Sequence, residues 1–232
     1  MSYCLICQSF IQTEVTWSNF LFPNKASNLC EECQKKIERI EGDICEKCGR
    51  QMKQQGLCSD CIRWETRGEC KEVLEKNRAV FQYNSFMKEI ISQWKYRGDY
   101  HLIEIFKPYI LEVFDQHFSK LDSNFVMIPI PLTEERLYER AFNQSEAIAM
   151  IISKKSIIPS ILKRDPTKTE KQSKKSKRAR LESNNPFYLE TGLNKTAVIV
   201  DDIYTTGTTI YHAAKTLKLA GCPHVYSFTL IR

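Results

Sequence analysis

The stretch VIVDDIYTTGTTI, Val198 to Ile210, sets two adjacent acids and a Thr/Gly run directly behind the aliphatic residues AVIV (197–200). A short, fully apolar and β-branched run reads as a buried strand, TAVIV (196–200), and the periodicity after it as a helix over Thr208–Leu219. The strand is expected to end at Val200, with Asp201 and Asp202 at its tip and Thr205–Thr209 forming the turn. A helix N-terminus presents unpaired backbone N–H groups and the positive end of the helix dipole, which suits an anion. Gly207 lets the backbone approach closely, and Thr205, Thr206, Thr208 and Thr209 add hydroxyl donors. Two carboxylates beside a phosphate would repel it unless they face another part of the ligand. Carboxylates accept hydrogen bonds well from vicinal hydroxyls, so the pattern suits a sugar phosphate, with Mg²⁺ sharing the acids. The plain alternative is a Ser/Thr/Asp-rich helix cap behind an ordinary strand.

Outward from this stretch, strands alternate with helices. Asn77–Tyr83 reads as a strand; Phe86, Met87, Ile90, Ile91 and Trp94 recur at helical spacing; Gly98 ends that helix. A second stripe runs through Phe106, Tyr109, Ile110, Val113 and Phe114, with Pro108 in its first turn or at a kink. FVMI (125–128) reads as a buried strand stopped by Pro129 and Pro131. Asn143–Ser153 reads as a helix with Ala147, Ile148, Met150 and Ile151 inward, and VYSFTLI (225–231) as the last strand. This alternation implies an α/β fold with a doubly wound, mostly parallel sheet whose ligands bind beyond the carboxyl ends of the strands. At 232 residues the chain has room for such a domain, at 67–232, and a smaller one, at 1–66.

No apolar run approaches the ~20 residues needed to cross a bilayer, and MSYCLICQSF lacks the features of a secretory signal. A soluble, cytoplasmic protein without a membrane span is expected. Eight of the ten cysteines form four C-x-x-C pairs, Cys4/Cys7, Cys30/Cys33, Cys45/Cys48 and Cys58/Cys61. In a reducing compartment such pairs suit metal better than disulfides. Each pair makes a knuckle and two knuckles complete a tetrahedral Cys₄ site, so two structural Zn²⁺ sites are expected, with Gly49 supplying one tight turn. Sequential and cross-braced pairings both fit the spacing, and thioredoxin-like redox chemistry is the rival use.

The formal net charge is +6, and Thr167–Arg180, with seven basic residues and one acid, carries all of it. A structureless basic insert inside a compact domain suits phosphate handling. Lys171, Lys174, Lys175, Lys177, Arg178 and Arg180 could equally track a nucleic-acid backbone or form a solvated linker. Trp94, Tyr96 and Tyr100 are candidate base-stacking partners, with core packing as the alternative for Trp94. Arg136 and Arg140, behind the strand at 125–128, add cations suited to pyrophosphate at the same sheet edge.

Two resemblances follow from these residues. VIVDDIYTTGTT is similar to the phosphoribosyl-pyrophosphate (PRPP) motif of type I phosphoribosyltransferases, whose acid pair holds the ribose hydroxyls and whose turn holds the 5′-phosphate. Purine-salvage members carry an acid where this chain has Thr205, and orotate-type members lack it there too. PIPLTEERLYERAFNQ (129–144), the basic stretch around QSKKS and VDDIYTTGTT, preceded by zinc-type cysteine pairs, resemble the ComF family of DNA-uptake (competence) proteins over nearly the whole chain. That resemblance implies a type I phosphoribosyltransferase-like domain and a double zinc ribbon. It also implies Asp201 and Asp202 as catalytic residues, a pyrophosphate loop with Pro131, Leu132, Arg136 and Arg140, and a flexible hood at 164–185. Ala141 stands where the family usually has Gly. The implied setting is natural transformation, with PRPP, single-stranded DNA and proteins of the uptake machinery as partners. An enzyme transferring phosphoribose to an acceptor, a PRPP-binding module that handles DNA, and a structural adaptor are the function classes left open.

Overall fold

The computed structural model describes residues 2–11, 28–97, 99–153, 156–158, 161–165 and 185–232. Gly98, assigned above to a helix end, and the basic segment 167–180 lie outside them. The central sheet comprises β3 (Asn77–Phe81), β4 (Val126–Pro129), β7 (Ala197–Ile203) and β8 (Val225–Ile231), in the order β3-β8-β7-β4 with every pair parallel. Short antiparallel ribbons flank it: β1 (Ser2–Tyr3) with β2 (Phe10–Ile11), and β5 (Lys163–Arg164) with β6 (Phe187–Tyr188).

Helices cover both faces. On one lie α3 (Ser85–Tyr96), α4 (Ile103–Phe118) and α6 (Gln144–Ile152), which bury Met87, Ile90, Trp94, Phe106, Ile110 and Ile148 against Val198, Val200 and Phe228. Cys4 and Cys33 join this layer, the latter from α1 (Glu31–Lys35). On the other face α7 (Thr208–Leu219) packs Ile210, Tyr211, Ala214 and Leu217 against Ile128 and Ile199, together with Cys45, Cys48, Cys58, Cys61 and Trp64. Trp64 and Cys61 belong to α2 (Ser59–Thr66). A fully buried large side chain contributes roughly 1.5–3 kcal/mol, so each layer has ample driving force. α5 (Glu134–Arg140) is a short surface helix capped by Thr133, whose hydroxyl accepts from the Arg136 N–H at 3.3 Å.

Several details depart from expectation. Pro129 does not stop β4; it pairs with Val200 inside the ladder. The reason is that Ile130 N–H donates to Val200 while Met127 N–H donates to Ser156 on the opposite side, so the missing N–H at 129 falls on the outer edge. Pro108 lies in the second turn of α4, beyond the first. On α6 Ala149 is buried and Met150 is exposed, because the helix turns Ala147, Ile148 and Ala149 to the sheet. Among the described residues no helix is long and apolar enough to cross a membrane.

Candidate functional site

The parallel strands aim their carboxyl ends at one edge, and there β7 runs on past Val200 through Asp201, Asp202 and Ile203. The acids are therefore ladder residues rather than a loose tip: Asp201 pairs with Thr229 and Ile203 with Ile231. This fixes their backbones before any ligand arrives. Asp202 shares the parity of Val198 and Val200, points to the α3 face and forms an ion pair with Lys95. The Asp201 carboxylate accepts from Ser145 Oγ at 3.1 Å and from the Asp202 N–H at 2.9 Å. Burial, and then the charge of Asp202, push its carboxyl up to about 7.

The turn follows at once. Gly207 is the N-cap of α7 with φ +83°, and a Cβ there would lie 2.3 Å from the Tyr204 hydroxyl. Only glycine fits this left-handed, closely packed position. Thr206 and Thr208 are buried and their hydroxyls bond each other at 2.9 Å, while Thr205 is exposed and Thr209 half-buried. The four threonines are thus divided: two brace the turn and two line its outer side. The turn's carbonyls are held from behind, since Arg232 donates to Tyr204 and Thr205 and Trp64 Nε1–H donates to Thr206.

Across the mouth stands the loop after β4. Pro131 and Leu132 are half-buried on it, and Asn143 ties it down by donating to the Ile130 carbonyl at 3.1 Å. Arg136 is half-buried on α5. Arg140 is buried, donates to Gln144 at 3.0 Å and lies over the Tyr96 ring at 5.6 Å. Its Nε and the Gln144 Nε2 have no protein partner. Ala141, between α5 and α6, takes φ +62°, the conformation glycine adopts freely; an alanine there costs roughly 1–2 kcal/mol. Trp94 is fully buried against Phe106 and Phe142 and cannot stack on a base, whereas Tyr96 and Tyr100 are exposed.

Two charged residues at this mouth escaped the sequence reading. Lys95 lies within WKYRGDY, where only the aromatics drew notice. Arg164 sits on β5 over the Phe187 ring at 4.8 Å, with a buried Nε that has no protein partner. Burial, and then the charge of Arg136, hold its guanidinium down to about 10, with Asp201 acting in the opposite direction. Arg136 and Asp201 are thus among the charges whose fields reach Arg164. Its position at the boundary proposed for the hood was the only available signal. The six basic residues Lys171, Lys174, Lys175, Lys177, Arg178 and Arg180 lie outside the described residues.

The cysteines resolve into two sequential clusters, Cys4/Cys7/Cys30/Cys33 and Cys45/Cys48/Cys58/Cys61, each with its sulfurs within 4.8 Å of one another. The Cys7–Cys30 and Cys48–Cys58 sulfurs are 3.6 Å apart, close to the ~3.8 Å edge of a tetrahedron with Zn–S bonds of ~2.3 Å. Both clusters fit structural Zn²⁺. The first is half exposed at Cys7 and Cys30, and the second is wholly buried.

Comparison with known proteins agrees. Residues 2–62 match the double zinc ribbon domain. Over 99% of this chain, and 94% of its own length, the competence protein ComFC of Bacillus subtilis is 39% identical. This chain belongs to the ComFC family. The ComFC of Streptococcus pneumoniae is 32% identical over 99% of both chains, and competence protein F of Haemophilus influenzae is 24% identical over 89% of this chain and 91% of its own. The parallel four-stranded sheet with helices on both faces, preceded by the double zinc ribbon, is consistent with a phosphoribosyltransferase-like α/β fold. In this ComFC-family chain the acid pair, the glycine-capped turn and the arginine loop converge on the carboxyl edge of that sheet.

Proposed function

We propose that the protein binds PRPP at this edge and serves natural transformation, in the cytoplasmic handling of incoming single-stranded DNA. The observation that carries the reading is the pairing of two fixed carboxylates on β7 with the N-terminus of α7 one short turn away. In this arrangement the turn takes the 5′-phosphate, Asp201 and Asp202 take the ribose hydroxyls, and Arg136, Arg140 and Arg164 face the pyrophosphate. The Asp201 carboxyl, whose titration is raised to about 7 by burial and by Asp202, is the kind of group that gains from a cation, so Asp201 and Asp202 would be the residues to hold Mg²⁺. When bound, the ion supplies charge neutralisation on the leaving group.

Should transfer occur, the ribose would become oxocarbenium-like as pyrophosphate departs. The acids would steady the positive ring and the arginines the departing anion. The competence role rests on the names of the relatives, and the DNA partner on the basic segment at 167–180 together with exposed Tyr96 and Tyr100.

The test is calorimetric titration of PRPP with Mg²⁺ into zinc-loaded protein and into the Asp201→Ala/Asp202→Ala variant. Binding in the wild type that vanishes in the variant is expected. Equal binding by both, or none by the wild type, would overturn the reading.

A further inference from the structure

Three consecutive carbonyls of the phosphate turn are gripped by two side chains that also contact the second cysteine module, Arg232 from the end of β8 and Trp64 from α2. Arg232 Nη1 donates to the Tyr204 carbonyl at 3.2 Å and the Thr205 carbonyl at 2.8 Å, while its Nη2 donates to Cys48 Sγ at 3.1 Å. One planar guanidinium thus joins a metal-ligating sulfur to the turn. Trp64, three residues after Cys61 on α2, donates its Nε1–H to the Thr206 carbonyl at 2.8 Å, and its ring stacks on Tyr211 of α7 at 4.5 Å and 9°.

The anchors are rigid. Arg232 covers the Tyr204 ring at 4.6 Å, its backbone N–H donates to Phe81, and its carbonyl accepts from Tyr83. The Tyr204 ring in turn occupies the space where a Gly207 side chain would be. Asn77, fully buried, adds a second tie by donating to the Cys48 carbonyl at 3.0 Å and accepting from Ser227 at 2.8 Å.

The consequence follows from peptide planarity. In a trans peptide the C=O and the next N–H point in opposite directions. Holding the carbonyls of residues 204, 205 and 206 toward the ribbon therefore turns the N–H groups of 205, 206 and 207 away from it. Orienting those donors before a ligand arrives removes much of the ordering cost of binding an anion.

We infer that Arg232 and Trp64 are positioning residues that make the second zinc ribbon a working part of the phosphate turn, so that an intact Cys45/Cys48/Cys58/Cys61 centre and anion binding at Thr205–Gly207 favour each other. The inference rests on the proposed PRPP site for its ligand, but its geometry does not depend on that ligand. By linkage, whatever zinc does for anion affinity the anion does for zinc retention.

Two conservative variants isolate the coupling. Trp64→Phe keeps a ring against Tyr211 and removes the N–H donor, with some loss of ring volume. Arg232→Lys keeps the charge but cannot reach a sulfur and two carbonyls at once. Each variant is checked for two bound zinc ions by elemental analysis. Amide hydrogen exchange is then followed over peptides spanning 203–211, and PRPP/Mg²⁺ affinity is measured by calorimetry. Loss of one such hydrogen bond is expected to raise exchange and weaken PRPP on the order of tenfold, with the rest of the chain unchanged.

Unchanged exchange at 203–211 overturns the inference, as does faster exchange spread over the whole chain, or faster local exchange with PRPP affinity intact. If the wild type binds no PRPP, the proposed function fails on its own account. Exchange at the turn then still decides whether the ribbon holds it.

Discussion

Lys95 is the cation at the acid pair, and its removal has a worked consequence. It pairs with Asp202 in a setting where both side chains are largely shielded, and its charge also lowers the proton affinity of Asp201, opposing the larger effects of burial and Asp202. Lys95→Met removes that attraction while keeping the length of the stem. A unit charge ~6 Å away at an effective dielectric constant of ~20 is worth about 2–3 kcal/mol. Discounting by half for solvent leaves about one pH unit on Asp201, moving its titration from about 7 toward 8. The sign is that of an acid whose folded pKa exceeds its unfolded value near 3.9. The folded state holds a proton that the unfolded chain has lost, so stability falls as pH rises from about 4 up to the folded pKa. In the wild type this fall ends near pH 7, and in the variant it continues to about 8. The stability gap between them should therefore widen by about 1 kcal/mol from pH 6 to pH 8, as read by urea denaturation. Carboxyl-carbon NMR would show the shift directly. A gap that is constant or narrows with pH would refute the argument.

Gly207→Ala places a Cβ in a left-handed backbone and into the buried Tyr204 ring. A loss of about 2–4 kcal/mol is expected in denaturation, with weaker PRPP binding in the fraction that folds. Arg164→Met should move the two readouts in opposite directions. The ligand-free protein gains slightly in thermal stability, because a buried cation facing Arg136 is removed, while calorimetry shows pyrophosphate or PRPP binding about tenfold weaker. Zinc should leave in two phases on chelation, followed with a colorimetric indicator. The half-exposed cluster of Cys7 and Cys30 goes first; release from the buried Cys45/Cys48/Cys58/Cys61 cluster coincides with loss of near-UV circular dichroism, since those cysteines share a core with α7.

What the sequence revealed and what it hid follow from the range of the interactions. AVIVDDIYTTGTT is a contiguous strand, turn and helix cap, so its local chemistry already describes the local structure, and the C-x-x-C pairs likewise report themselves. The sheet's parallel character came from the same alternation of periods. Pro129 was misjudged because a missing N–H matters only on the side that faces another strand, and edge position is a property of the assembled sheet. Met150 was misjudged because the buried face of α6 is set by where the sheet lies, which helical spacing alone leaves undetermined by one residue. Lys95, Arg164, Trp64 and Arg232 were silent for a further reason. Each reaches the site from a different segment, and a lone Lys, Arg or Trp carries no mark of the partner it will meet. The choice between sequential and cross-braced zinc sites was hidden similarly, since both satisfy one spacing.

The distribution of charge in the ligand-free site gives these pieces a common logic. On one side two carboxylates are crowded enough that one is held near neutrality and the other is occupied by Lys95. On the other side Arg140 is buried and Arg164 half-buried, each with an Nε that has no protein partner, and Arg164 is pressed by Arg136. Each half is unfavourable by itself, because like charges are gathered and desolvated. The halves do not relieve one another by direct pairing. A ligand that carries hydroxyls at one end and a pyrophosphate at the other, with a divalent cation between, would satisfy both at once. The stability forgone at the mouth is offset by the two apolar layers beneath it and, behind the turn, by the grip of Arg232 and Trp64 on three carbonyls. Under the proposed function, ligand binding meets unmet demands rather than reorganising the fold, which is why Arg164→Met is expected to stabilise the empty protein and weaken the filled one, whereas loss of Lys95, which is already paired, destabilises the empty protein.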